Sequence, residues 1–173
     1  MTDNIIITGF GGQGILFVGK ILAYAALLKG KQLSWLPSYG PEMRGGTANC
    51  HVIVSDEPVG SPIIINPNIL ISMNKPSLEK FENDVVPGGT IIYDKTLIDR
   101  EIKRDDVKVV AVDATGIATK EGKAHMANMI MLGALLKATG TFTLDEIKAG
   151  VEKAVPVSKK EMAEMPSINF KKR

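Results

Sequence analysis

The sequence predicts an α/β fold, a three-layer α/β/α sandwich around a mixed but mostly parallel sheet. Three observations carry the prediction. Short β-branched runs alternate with longer apolar patterns of helical period. The first of these runs ends directly on a glycine cluster that opens the first helical pattern, a Rossmann-like strand–turn–helix arrangement. The run Thr47–Val54 follows a turn-rich loop with no helix before it, so that strand is expected to be antiparallel or out of order.

The elements follow in order. Asn4–Thr8 (NIIIT) reads as a buried strand, and Gly9-Phe10-Gly11-Gly12-Gln13-Gly14 follows it. Ile15, Val18, Leu22, Ala25 and Ala26 then recur at helical spacing, and Gly30 suits the helix end. Gln32–Leu36 is a second strand. Ser38–Gly46 (SYGPEMRGG) is dense in turn formers and reads as an ordered loop before the third strand. Ile69–Met73, Thr90–Tyr93 and Lys108–Val112 are further strands, and Pro76 opens a short helix to about Asn83. From His125 to about Lys137 the pattern is apolar nearly all round, which predicts a helix buried on most sides. Thr143 and Glu146 form a capping box for a helix to about Ala154. The whole chain, 1–173, reads as a single α/β domain, with a C-terminal helix and tail over about 156–173.

Composition narrows the function. With 173 residues, a chain of this size buries roughly 70% of its unfolded surface and needs no metal or disulfide to fold. The 21 basic and 19 acidic residues nearly cancel, and no basic stripe interleaved with aromatics points to nucleic acid. Cys50 is the single cysteine, so the chain cannot hold an iron–sulfur cluster, which takes a set of thiolates. With His51 and His125 the only histidines, a zinc site is not expected either. No run reaches the roughly 20 apolar residues of a membrane helix, and Asp3 and Asn4 replace a basic signal start. A cytoplasmic protein with no membrane partner is expected.

Gly9, Gly11 and Gly14 satisfy G-x-G-x-x-G between a strand and a helix. Glycines permit a tight turn and close backbone approach, and free N–H groups with the helix dipole favour a phosphate. A dinucleotide site also wants an acidic residue about twenty positions on, at the end of the second strand. That strand instead ends Trp35-Leu36-Pro37-Ser38, and Glu42 lies later, inside the loop. A purely steric role for the glycines stays open.

The second loop should leave the carboxyl end of its strand, on the same sheet edge as the first. Arg44 is a fork donor for phosphate or carboxylate, or else a salt-bridge partner of Glu42 or of another subunit. Tyr39 and Met43 offer packing or an adaptable ligand contact. Cys50 and His51 are neighbours on an alternating strand and point to opposite faces, so they form no nucleophile–base pair. His125 reads as helix-start packing. Asn128, polar inside a nearly all-apolar helix, needs a partner, either backbone or ligand. No convergent carboxylate pair or acyl-transfer triad is visible, and neither Asp94 nor Asp113 is read as catalytic.

The two loops together, Gly9–Gly14 and Ser38–Ala48, resemble the gamma subunit of 2-oxoacid:ferredoxin oxidoreductases, as do Ser61–Ser77 and the helix around Asn128. The resemblance covers about residues 4–155. It implies an enzyme that oxidatively decarboxylates a 2-oxoacid to an acyl-CoA, with electrons passing through iron–sulfur clusters to ferredoxin. Thiamine diphosphate, Mg and the clusters would sit in partner subunits, none in this chain, which would be inactive alone. The gamma part would help bind coenzyme A and close over the active region. Carried over, Gly11, Gly12, Gln13, Gly14 and Ile15 approach the coenzyme A phosphates, and Glu42, Met43, Arg44 and Asn128 complete the surface. Some relatives carry lysine in the second loop, where this chain offers Arg44. The resemblance points first to 2-oxoglutarate, with pyruvate, branched 2-oxoacids and indolepyruvate open. The competing readings are a free-standing nucleotide- or NAD-binding protein and a purely structural assembly subunit.

Overall fold

The computed structural model describes residues 1–38 and 47–155. Glu42, Met43 and Arg44, and the expected C-terminal helix and tail over 156–173, lie outside the described residues.

Six strands form one sheet among the described residues: β1 (Thr2–Phe10), β2 (Gln32–Ser38), β3 (Thr47–Ser55), β4 (Ile69–Ser72), β5 (Thr90–Asp94) and β6 (Lys108–Val112). Their order is β2-β3-β1-β4-β5-β6. β1, β4, β5 and β6 run parallel, while β3 is antiparallel to both β1 and β2. The strand without a preceding helix is therefore both reversed and out of order, inserted between β2 and β1.

The strand pleat sends Ile5 and Ile7 to one face of the sheet and Ile6 to the other. Ile5, Ile7, Cys50, Val52 and Ile71 pack under α1 (Ile15–Leu28), α3 (Ala114–Lys120), α4 (Ala127–Thr139) and α5 (Leu144–Ala154). Ile6, Ile53, Leu70, Ile91 and Tyr93 meet Leu78 of α2 (Lys75–Phe81) together with Val85 and Ile98. Among the described residues the layers are thus unequal: four helices cover one face, and a short helix with loops covers the other.

Helix ends follow local chemistry. Gly30, at φ 72°, lies just past the end of α1 and donates its N–H to Leu27. Asn74 caps α2, its Oδ1 accepting the Ser77 N–H at 2.8 Å, and Pro76 stands in the first turn. The helix begun there passes into a 3₁₀ turn over Glu82–Asp84. The Thr143–Glu146 capping box is formed at both of its bonds, 3.3 and 2.8 Å. α4 is preceded by a 3₁₀ turn over Ala124–Met126, where His125 is exposed, so the expected helix-start packing of His125 is not what the structure shows. The turn keeps His125 outside α4, clear of the face that α4 buries.

α1 and α5 cross closely at Gly150, where a Cβ would stand 2.7 Å from the Ile21 carbonyl oxygen and 3.1 Å from the Ala25 nitrogen. Those neighbours are backbone and cannot swing aside. Gly150→Ala is expected to lower stability by about 1–2 kcal/mol net, since overpacking outweighs the roughly 1 kcal/mol gain in helix propensity. Urea unfolding checks this; an unchanged or raised midpoint would show that α5 shifts without cost.

Candidate functional site: the glycine loop at the sheet's switch point

β1 ends at Phe10 beside Thr47 of β3 on one side, and Thr8 pairs with Ser72 of β4 on the other. From β1 the chain runs through α1 toward β2 and β3 on one side, and β4, β5 and β6 lie on the other. The strand order reverses between β1 and β4, and in open α/β sheets ligands bind in such a crevice outside the carboxyl ends of the strands. The glycine loop caps this point. The second loop leaves β2 at Ser38, which pairs with Asn49, and re-enters at Thr47, which pairs with Phe10. Both of its anchors therefore stand on the same edge as the glycine loop, as expected from the sequence.

Within the loop, Gly12 (φ 93°) and Gly14 (φ 76°) have left-handed backbones, which glycine adopts at little cost. Gly12 is exposed, and among the described residues a Cβ there would meet nothing within 4 Å. Gly14 is the N-cap of α1 and has no side chain to satisfy the first-turn amides, in contrast with Asn74 on α2 and Thr143 on α5. A Gly12 clear of the described residues and a helix start without a side-chain acceptor are what an anion needs.

The remaining candidates divide. Ile15 is 2% exposed and its side chain belongs to the core, so only its backbone can face a ligand. The Gln13 carboxamide is engaged within the fold: Oε1 accepts the Phe10 N–H at 2.6 Å and Nε2 donates to the Met73 carbonyl at 3.1 Å. Asn128 is 6% exposed; its Nδ2 donates to the Gly14 carbonyl at 3.4 Å and its Oδ1 accepts the Met129 N–H at 2.9 Å. Asn128 thus brings the start of α4 against the start of α1. Backbone groups thus give Asn128 the partners that a polar residue in an apolar helix needs.

Met73 and Asn74 are members of this edge that motif reading alone did not assign. Their signal is present in Asn74-Lys75-Pro76-Ser77, where a capping residue and proline after a strand mark a helix start on that strand's carboxyl side. Lys75 there pairs with Asp99 at 3.1 Å and holds that carboxyl below its ordinary range.

The residues set aside as catalysts have structural partners. Cys50 is fully buried against α1 and burial pushes its thiol up to about 12, leaving no thiolate for chemistry. His51, on the opposite face, accepts the Ile64 N–H on Nδ1 at 2.9 Å; burial, and then Lys80, lower its pKa. Asp94 is fully buried at the end of β5, accepting from Thr96 N, Thr115 N and Thr115 Oγ1. Asp113 accepts from the Thr96 hydroxyl. Among the described residues, no group of three or more histidine, cysteine, aspartate or glutamate side chains could hold a metal ion. No described helix is long and apolar enough to cross a membrane.

The chain is similar to known proteins in sequence and in fold. The chain is 47% identical over 143 residues to ketoisovalerate oxidoreductase subunit VorA of Methanothermobacter thermautotrophicus, a match covering 83% of this chain and 29% of that protein. It is 36% identical over 159 residues to 2-oxoglutarate synthase subunit KorC of Methanocaldococcus jannaschii, covering 90% of this chain and 85% of that one. The chain thus spans about three tenths of the first relative and most of the second. The crystal structure of a keto/oxoacid ferredoxin oxidoreductase gamma subunit from Geobacter sulfurreducens superposes with a TM-score of 0.77 at 29% identity, covering 93% of this chain and 91% of that one. The fold also recurs, at 22% identity and TM-score 0.79, within a 2-oxoglutarate:ferredoxin oxidoreductase from Magnetococcus marinus solved with 2-oxoglutarate, coenzyme A and succinyl-CoA; the match covers 88% of this chain and 27% of that one. The family model for pyruvate ferredoxin/flavodoxin oxidoreductase matches residues 4–168, and the chain belongs to that family.

Proposed function

We propose that this chain is the gamma subunit of a 2-oxoacid:ferredoxin oxidoreductase and that its glycine loop receives the phosphates of coenzyme A. The observation that carries the reading is the loop's place: an exposed left-handed Gly12 before a helix start without a side-chain cap, at the switch point of the sheet. Coenzyme A brings an adenosine pyrophosphate, which suits a helix N-terminus and does not require the ribose carboxylate missing after β2. In this reading backbone N–H groups of Gly11, Gly12, Gly14 and Ile15 face the phosphates. Glu42, Met43 and Arg44 complete the surface from the second loop, with Arg44 as the charged fork.

Thiamine diphosphate, Mg and the iron–sulfur clusters belong to partner subunits, and ferredoxin is met through them. The buried, single Cys50 supports this assignment, because it offers no set of thiolates to a cluster. The complete enzyme converts a 2-oxoacid and coenzyme A to an acyl-CoA and carbon dioxide, with two electrons leaving to ferredoxin; the gamma chain alone is inactive. The substrate we assign first is 2-oxoglutarate, the reading supported by the similarity to KorC. The identity to VorA favours a branched 2-oxoacid as the second reading.

The test is anaerobic purification of the chain with its native partners, followed by coenzyme A-dependent ferredoxin reduction with 2-oxoglutarate, 2-oxoisovalerate and pyruvate in turn. Gly12→Val should assemble normally yet raise the KM for coenzyme A by about tenfold or more, because the side chain fills the open space before the helix start and strains φ. A lone chain that binds NAD, or an assembled Gly12→Val enzyme with unchanged KM, would overturn the assignment.

A further inference from the structure

Gln13 lies inside the glycine loop and links three pieces of main chain. Its own N–H donates to the Phe10 carbonyl at 3.2 Å, closing the turn. Its side chain then reaches the other way, accepting from Phe10 N at 2.6 Å and donating to Met73 O at 3.1 Å. Phe10 ends β1, and Met73 follows β4. The carboxamide therefore spans the crevice between the two strands that flank the switch point. Space for it exists because residue 9 is glycine: a Cβ there would overlap Oε1 of Gln13 and come within 2.7 Å of Cδ1 of Ile15. The neighbouring rung, Met73 N–H to Thr8 O at 2.9 Å, holds the same two chain ends together from below.

A carboxamide satisfies both groups without carrying charge: one end accepts from an N–H and the other donates to a carbonyl. Glutamate could serve only Phe10 and would turn a negative oxygen toward Met73. Methionine has the length and neither bond.

We propose that Gln13 is a positioning residue. Its carboxamide is a strut that fixes the glycine loop to the carboxyl end of β4, and Gly9 is glycine in order to seat it. This rests on the reading of the loop as a phosphate cradle, and it moves Gln13 from the ligand's contacts to the loop's support. The backbone around Gly11 and Gly12 is left as the surface that meets the phosphates.

The experiment uses the assembled enzyme with Gln13→Met and, as a milder change, Gln13→Glu. Amide hydrogen exchange is followed without coenzyme A, and then steady-state kinetics with it. In Gln13→Met the Phe10 amide should exchange about tenfold faster, as expected when one solvent-accessible hydrogen bond is lost. The KM for coenzyme A should rise about tenfold while kcat at saturation stays within about twofold, since a loosened loop weakens binding of ground state and transition state alike. Gln13→Glu should keep part of the Phe10 protection. Unchanged exchange in both variants, whatever the kinetics, overturns the strut, because a residue that only touches ligand leaves the empty loop undisturbed. Faster exchange with an unchanged KM keeps the strut and removes the loop from coenzyme A binding, which overturns the preceding assignment and not this one.

Discussion

Gly14→Ala is expected to lower stability by about 2–5 kcal/mol and to raise the KM for coenzyme A in the assembled enzyme at least tenfold. Two costs add. Alanine at φ 76° enters the left-handed region, at about 1–2 kcal/mol. Its Cβ would also overlap the Asn128 carboxamide, which is 6% exposed and tied to Gly14 O and Met129 N. Displacing that side chain strands a buried amide, at about 1–3 kcal/mol. The functional cost follows from geometry, because Gly14 is the N-cap of α1 and any shift there turns the first-turn amides. Chemical denaturation measures the first effect and coenzyme A titration the second. A cycle with Asn128→Ala separates them: the overlap should disappear in the double variant while the backbone strain remains. If Gly14→Ala costs as much with Asn128 as without it, the overlap is not the cause.

Asp94→Ala should cost about 3–5 kcal/mol. Asp94 ends β5 fully buried, and its two oxygens accept from Thr96 N at 3.1 Å, Thr115 N at 3.1 Å and Thr115 Oγ1 at 2.6 Å. Removing the carboxylate leaves three donors without their acceptor and opens a void at the sheet edge. Asp94→Asn keeps the volume and one acceptor but places an N–H₂ against donors, so roughly half the loss is expected. Thermal unfolding with hydrogen exchange at Thr96 and Thr115 checks both. A variant of near-normal stability would mean that α3 is held by its packing alone. Because the carboxylate is engaged in folding, activity per folded molecule should survive Asp94→Asn.

α3 shows what the sequence leaves unsaid. Ala114-Thr-Gly-Ile-Ala-Thr-Lys120 has two threonines and a glycine, poor helix formers, and no apolar stripe long enough to stand out. The helix exists because Asp94, twenty-one residues earlier, takes the Thr115 N–H and because Ala114 and Ala118 are small enough to sit on the sheet. Such tertiary support has no local signature. By contrast the Thr143–Glu146 box, the helix start at Pro76 and the β1–glycine–α1 junction depend on neighbours in sequence, and all were legible there. That β3 would be antiparallel or out of order was legible too, from the missing crossover helix, but not that it is both, nor its place between β2 and β1, which depends on long-range pairing. The spacing of Gly9, Gly11 and Gly14 marked a glycine turn between β1 and α1, and the structure has that turn. That spacing could not tell that the polar side chains at 13 and 128 bond main chain, at Phe10 and Gly14 of the loop and at Met73 beyond it. A motif records which residue types occur together, and the same carboxamide suits a backbone or a ligand.

β1 lies between β3 and β4 and is synthesised before both. During translation its two edges and the apolar face of α1 stay open until residues 47–55 and then 69–72 have left the ribosome. α1 waits longer still for α5, whose Gly150 closes on Ile21 and Ala25 across more than half the chain. Contacts so distant in sequence slow folding, and an unpaired central strand rich in isoleucine is a surface to which other nascent chains can add. The β3 hairpin onto β2 covers one edge of β1 early. The other edge stays exposed through the stretch from Asp56 to Asn68, and in that interval a holdase chaperone would find its binding surface.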